Sequence, residues 1–305
     1  MSISTKLPLA DSLHRVERGS VAPGGRRRQG GSFRRAGWLT YVLLTALSIF
    51  ALGPILFFFF NAVKSQGEFA SNPLGVPRVW EWGNFTSAWT EAAMGAGLVN
   101  SAIVVLGTVA VTVVVASSAA YALARLEIRG GTTFVTYLLV TSSLPTQMFL
   151  VPLFYLWADL NLYDTRVGLI LIYVGLFSPF ATLLLRSFML TMPKEFEEAA
   201  RMDGASELGV LFKVVLPNAL PGMLTIALVT ALSAYNEFLF AITFIQTGSL
   251  LPVSTTFFTF QQGFTQNFAL ISAAGIIMIA PMLILFLVLQ RRFIDGLASS
   301  GLGGS

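Results

Sequence analysis

The chain has 305 residues, of which 55% are hydrophobic and only 11% charged, with a mean hydropathy of +0.74. An ordinary soluble domain carries about 25% charged residues to cover its core, so this composition excludes a typical cytosolic enzyme and names lipid as the solvent. It has no cysteine, and its one histidine is His14, in the polar N-terminal segment. Disulfides, thiol nucleophiles, Cys-based metal sites and His-based acid–base chemistry are therefore excluded. The net charge is +4. Where the basic residues sit matters more than their number.

Residues 1–37 are rich in Arg, Gly and Ser, with Arg26, Arg27, Arg28, Arg34 and Arg35 close together. They show no apolar period and read as a disordered basic tail. The apolar run that follows is too long for the core of a secretory signal peptide.

A membrane-crossing helix needs about 20 apolar residues. Six segments qualify: 38–63, 98–124, 132–156, 167–189, 224–245 and 268–289. The expected fold is an all-α polytopic membrane protein with six transmembrane helices in domain 38–295, followed by a flexible tail, 296–305. Sixteen Lys and Arg residues fall on the side of the two termini and three on the other. By the positive-inside rule both termini face the cytoplasm, which demands an even number of spans. The basic charge is thus a topology signal and implies no nucleic-acid partner.

The outer segment 64–97 holds Trp80, Trp82, Phe85 and Trp89 among Glu68, Glu81 and Glu91. It reads either as an interfacial aromatic belt or as a docking surface for an external partner. The second outer loop, 247–266, is uncharged. Prolines fall inside spans at Pro54, Pro145, Pro152, Pro179 and Pro281. Such kinks are tolerated in lipid when neighbours satisfy the freed carbonyls.

The longest inner loop, 190–223, carries the one patterned polar stretch. Pro193 suits a first helical turn, and Glu195, Glu197 and Glu198 suit the positive end of the helix dipole. Gly204 suits a left-handed stop. The expected element is a short helix over 193–203, followed by a second from Ser206 with Leu208, Leu211, Phe212 and Val215 on one stripe, ended by Leu216-Pro217. A short helix fixed between two spans acts as a lever. The alternative is a solvated loop helix. Arg125 and Arg129, after the second span, read as topology anchors.

Glu237 is the only carboxylate inside a span. An acidic group there costs about 2.5–3.5 kcal/mol on insertion scales, so it must face the bundle interior or water. With Tyr235 and Asn236 it reads either as part of a solute path or gate, or as a polar clasp between helices. Gln147 is a second polar candidate for the path.

Glu198-Ala199-Ala200, Asp203-Gly204-Ala205 and Leu216-Pro217 together resemble the EAA signature of permease subunits of bacterial ATP-binding-cassette importers. Asn100-Ser101, Ala120–Arg125, Asn236-Glu237-Phe238 and Arg292–Leu297 resemble the smaller permease of maltose-type sugar systems. The likeness runs over residues 38–296 in order and spacing. It implies a type I importer permease fold that translocates a sugar of di- or oligosaccharide size. Glu198, Ala199, Ala200, Asp203, Gly204, Leu216 and Pro217 would form the ATPase-coupling element. It further implies two ATPase subunits, a second permease and an extracytoplasmic sugar-binding protein as partners. ATP and Mg would sit on the ATPases and no cofactor on this chain, which has no phosphate-binding G-x-x-x-x-G-K-[ST] loop. The family often has Trp where this chain has Tyr235, and a Lys-containing tail that this chain lacks. An ion-coupled secondary carrier is the competing function. It would need more intramembrane ionisable groups than Glu237 alone. A membrane-embedded enzyme would need a catalytic dyad or metal site that these residues do not supply.

Overall fold

The computed structural model describes the backbone of residues 33–263 and 267–301, and side chains from 37 to 288 outside the same gap. The basic tail expected at 1–37 lies almost wholly outside these residues. Among the described residues there is no strand. The chain divides into two compact units, one ending at Gly53 and one beginning at Pro54.

The first long helix, α1 (Phe33–Ala62), contributes its residues up to Gly53 to the first unit. The remaining elements belong to the second. After Lys64 come two short helices, α2 (Gln66–Ser71) and α3 (Gly83–Glu91), within the outer segment 64–97. The second span is α4 (Met94–Arg125) and the fourth is α7 (Arg166–Leu190). Between them, α5 (Gly131–Ser143) and α6 (Leu150–Asp159) form a pair bent by 93°. Then follow α8 (Glu195–Met202), α9 (Glu207–Val210), a π-turn over Leu211–Val215, and α10 (Leu216–Asn218). They lead into α11 (Leu220–Asn236), α12 (Leu239–Phe244), α13 (Val253–Gly263) and α14 (Phe268–Gly301). Among the described residues four helices are long and apolar enough to cross a membrane. The number rises to six if each of two bent pairs counts as one span: Gly131–Ser143 with Thr146–Asp159, and Glu207–Asn218 with Leu220–Asn236, bent by 75°.

Three expectations need correction. The third span is not continuous: it breaks at Leu144, which is extended, just before Pro145. A proline disfavours the helical conformation of the residue before it, and here nothing overrides that preference. By contrast α1, α7 and α14 run through Pro54, Pro179 and Pro281. The fifth span also breaks, at Glu237. Lastly, α14 continues to Gly301, through part of the segment expected to be a flexible tail. The Arg292–Leu297 stretch lies within that helix, with side chains outside the described residues.

The second unit has two apolar cores. One joins Met94, Val104, Leu169, Tyr173, Tyr235, Phe240, Phe244 and Leu270. The other joins the C-terminal ends of α4 and α7 (Ala120, Tyr121, Leu185, Met189) to Val210, Leu211, Val215 and Ile226. The inner loop therefore sits on a packed base. Gly222 permits one close approach in that base, since a Cβ there would lie 2.8 Å from the Phe188 ring.

Candidate functional site

The short helix α8 forms where the sequence asks for it, though trimmed to Glu195–Met202. Its end is a Schellman cap. The Gly204 N–H donates to Arg201 O and the Ala205 N–H to Ala200 O, with Gly204 at φ +84°. Glycine adopts that angle at no steric cost. Ser206 caps α9 by accepting the Gly209 N–H at 3.2 Å.

The two faces of α8 differ sharply. Phe196 and Met202 are 62% and 88% exposed, and Glu198, Ala199, Asp203 and Gly204 lie on the surface with them. Ala200 is half-buried. The opposite face is anchored by charge. Glu197 is buried and its Oε1 meets Arg125 Nε at 2.8 Å, with both side chains 3% exposed or less. Arg125 also donates to Met192 O at 2.9 Å. Arg201 pairs with Glu207 at 2.9 Å and lies 3.7 Å from Glu197. Tyr121 donates to Glu207 Oε2 at 2.6 Å. The hydrogen bonds from Arg201 and Tyr121 hold the Glu207 carboxyl down at about 2.

Sequence reasoning singled out Glu198 and Asp203 but passed over Glu197, Arg201 and Glu207 as partners. Arg125 read as a topology anchor, whereas its guanidinium is enclosed. The available signal was Glu197 and Arg201 at i, i+4, which marks a helix face but not what that face meets.

The expected stripe after Ser206 does not survive intact. Leu211 and Val215 are buried, but Leu208 and Phe212 are 68% and 63% exposed. The π-turn shifts the helical phase, with the Leu216 N–H reaching back to Leu211 O. Nor does Leu216-Pro217 end the helix: Pro217 lies inside α10. A proline ring clashes with the carbonyl four residues earlier, and the wider π-turn relieves that contact.

At the fifth span, Glu237 is extended and follows the last residue of α11. Its carboxylate accepts the Tyr173 hydroxyl at 2.7 Å, the Phe240 N–H at 3.0 Å and the Ala241 N–H at 3.1 Å. It thus binds the first turn of α12 to α7. Tyr235 points the other way and donates to Met278 O at 2.7 Å, joining α11 to α14. Asn236 is exposed and donates to Leu232 O of its own helix. Gln147 is exposed in the 3-10 turn Thr146–Phe149 of the other break. Beside that break, Tyr137, Thr141, Thr146, Phe149, Trp157 and Pro179 line a cavity of about 530 Å³.

The far end of the second unit has its own polar clasp. Asn100 donates to Ser249 O and Leu251 O and accepts from Arg166, while Ser101 accepts the Val253 N–H. Burial pushes the Asp164 carboxyl up. Bonds from the Thr247 hydroxyl and the Thr247 and Gln246 N–H groups outweigh that and leave it below the ordinary value. Lys64 is fully buried and donates to Asn61 Oδ1, Asn72 O and Pro73 O. Burial pushes its ammonium pKa down, with Glu68 opposing in part. Asn84 donates to Ala62 O and Lys64 O, so its amide serves the fold. Trp80, Trp82 and Phe85 stack in series on the exposed side of this region. Among the described residues, no group of three or more His, Asp or Glu could hold a metal ion.

These features define an all-α, multi-pass membrane protein with two broken spans and an anchored, outward-facing loop helix. The model for binding-protein-dependent transport system inner membrane components matches residues 112–298. The probable ABC transporter permease protein YurM of Bacillus subtilis is 35% identical over 251 residues, 82% of this chain and 83% of that protein. The diacetylchitobiose uptake system permease protein NgcG of Streptomyces coelicolor is 33% identical over 277 residues, covering 90% and 91%. A crystal structure of a bacterial ABC transporter involved in the import of the acidic polysaccharide alginate superposes with a TM-score of 0.76 at 26% identity. That match covers 86% of this chain and 98% of that one. The chain belongs to this family of binding-protein-dependent transport inner-membrane components, the permease subunits of ABC importers. It is a transporter subunit and not itself an enzyme.

Proposed function

We propose that this permease carries a carbohydrate of di- or oligosaccharide size across a bacterial cytoplasmic membrane, with both termini in the cytoplasm. Its partners are a second, related permease, two ATP-binding-cassette ATPase subunits and an extracytoplasmic sugar-binding protein. ATP and Mg act on the ATPases, and this chain binds no cofactor. Relatives whose names specify diacetylchitobiose, trehalose, and melibiose, raffinose and stachyose support the substrate class.

The observation that carries the coupling role is the two-sidedness of α8. Phe196, Ala199 and Met202 form an exposed apolar strip flanked by Glu198 and Asp203, while Glu197 fixes the helix from behind. Large exposed apolar side chains on a firmly held polar helix suit a protein partner. Gly204 stops α8, and Leu216 and Pro217, in α10, complete the coupling element toward α11. In the membrane, Tyr235 and Glu237 hold the broken fifth span, and exposed Asn236 faces the solute path.

Reconstituted vesicles test the reading. Uptake of radiolabelled oligosaccharide is expected only with the ATPase subunits, internal ATP and the external binding protein. Uptake driven by a proton or sodium gradient alone would instead establish the secondary-carrier alternative.

A further inference from the structure

The Arg125–Glu197 pair has a property that a simple loop anchor does not need. A buried ion pair stabilises a fold weakly, because desolvation offsets most of its attraction. Apolar residues of similar volume would hold α8 against its base as well or better. Here the ion contact at 2.8 Å is not itself an aligned hydrogen bond; the directional bond is the one from Arg125 to Met192 O. The two together tie Arg125 to two named points of the loop, which apolar packing would not do. It also joins two specific elements: Arg125 is the last residue of α4, and Glu197 lies in the first turn of α8. Around it, Tyr121 of α4 reaches Glu207 of α9, which holds Arg201 of α8. Three charged or phenolic links therefore run from the end of α4 into the loop. The chain itself connects that loop only to α7 and α11.

We propose that the Arg125–Glu197 pair is the strut that passes the displacement of α8 into α4, making Arg125 a positioning residue for transport. The inference rests on α8 being the ATPase-facing element. On this assignment α4 and α8 move as one body during the ATP cycle, although they are far apart in sequence. The second span, not just the two spans flanking the loop, is driven directly.

The chain has no cysteine, so pairs of labels can be introduced without background. Spin labels at Leu126 and Glu195, the exposed first residue of α8 and outside the docking strip, read the strut directly in the assembled transporter. The inter-label distance is expected to be the same in nucleotide-free and ATP-trapped complexes. A change beyond about 2 Å, the scale of a helix shift at an interface, overturns the proposal. The second arm compares Arg125→Met/Glu197→Met with the reversed pair Arg125→Glu/Glu197→Arg. The apolar pair is expected to keep ATPase association but to lower sugar uptake per ATP hydrolysed by at least about tenfold, a usual size for coupling between sites. The reversed pair is expected to recover most of that loss. Wild-type coupling in the apolar variant shows that the pair only fills space and overturns the proposal. Met202→Asp, on the exposed face, separates the two ideas. If it leaves ATPase association intact, the docking assignment of α8 fails, whatever the labels report.

Discussion

Glu237→Ala is the perturbation whose size the structure fixes most closely. Its carboxylate is the acceptor for three donors: the Tyr173 hydroxyl and the Phe240 and Ala241 N–H groups. Tyr173 and Phe240 are each 1% exposed, so water cannot easily replace what is lost. An unsatisfied buried donor costs about 1–3 kcal/mol, which puts the alanine variant at about 3–9 kcal/mol. That is comparable with the whole stability of a typical domain, about 5–15 kcal/mol. Glu237→Gln keeps one acceptor oxygen and the shape, but loses the charge assistance and turns an amide N–H toward a donor. Its expected cost is about 1.5–3 kcal/mol, and Tyr173→Phe should cost a similar amount. Thermal unfolding of the purified complex in detergent gives the order wild type, then Gln and Phe together, then Ala. Uptake normalised to assembled complex should follow that order. The double variant Tyr173→Phe/Glu237→Gln should cost less than the two singles added, because they share one bond. An alanine variant as stable as wild type would refute the clasp, and would leave Glu237 free to act in the solute path alone.

Other expectations follow from single features. Gly204→Val should cost about 1–2 kcal/mol, because a β-branched residue at φ +84° is strained. Gly204→Asn should cost less, since Asn tolerates the left-handed region; ATPase co-purification with each variant gives the comparison. Glu207 has a depressed pKa of about 2 against an ordinary 4.5. Its contribution is therefore present above the ordinary value and lost as pH falls through that window toward the folded one. Limited proteolysis of the inner loop should show no change due to this group near neutrality and increasing cleavage in acid, with Glu207→Gln abolishing that pH step. Asn100→Ala should loosen the 247–253 segment by about 1–3 kcal/mol, because it strips the donor from Ser249 O and Leu251 O. Hydrogen exchange confined to that segment, with α8 unaffected, is the expected signature.

The sequence by itself determined that the chain is an all-α, multi-pass membrane protein, since hydrophobic length is a local property of composition. It also determined the ends of α8, because caps are written in a few adjacent residues: three glutamates at the start and Gly204 at the stop. The tertiary structure decided what each polar residue meets. Glu237 looked like a charge inside a helix. It stands at a break instead, because Tyr173 and the start of α12 supply donors that no local pattern reveals. Glu197 looked like one more solvated glutamate, and it is buried because Arg125 arrives from another helix. The phase of the Leu208–Val215 stripe followed the same rule: a 3.6-residue period predicts one face, but a π-turn over Leu211–Val215 changes the phase within the stripe, and Leu208 and Phe212 lie exposed while Leu211 and Val215 are buried. Burial and pairing depend on neighbours distant in sequence, so only the packed chain could assign them.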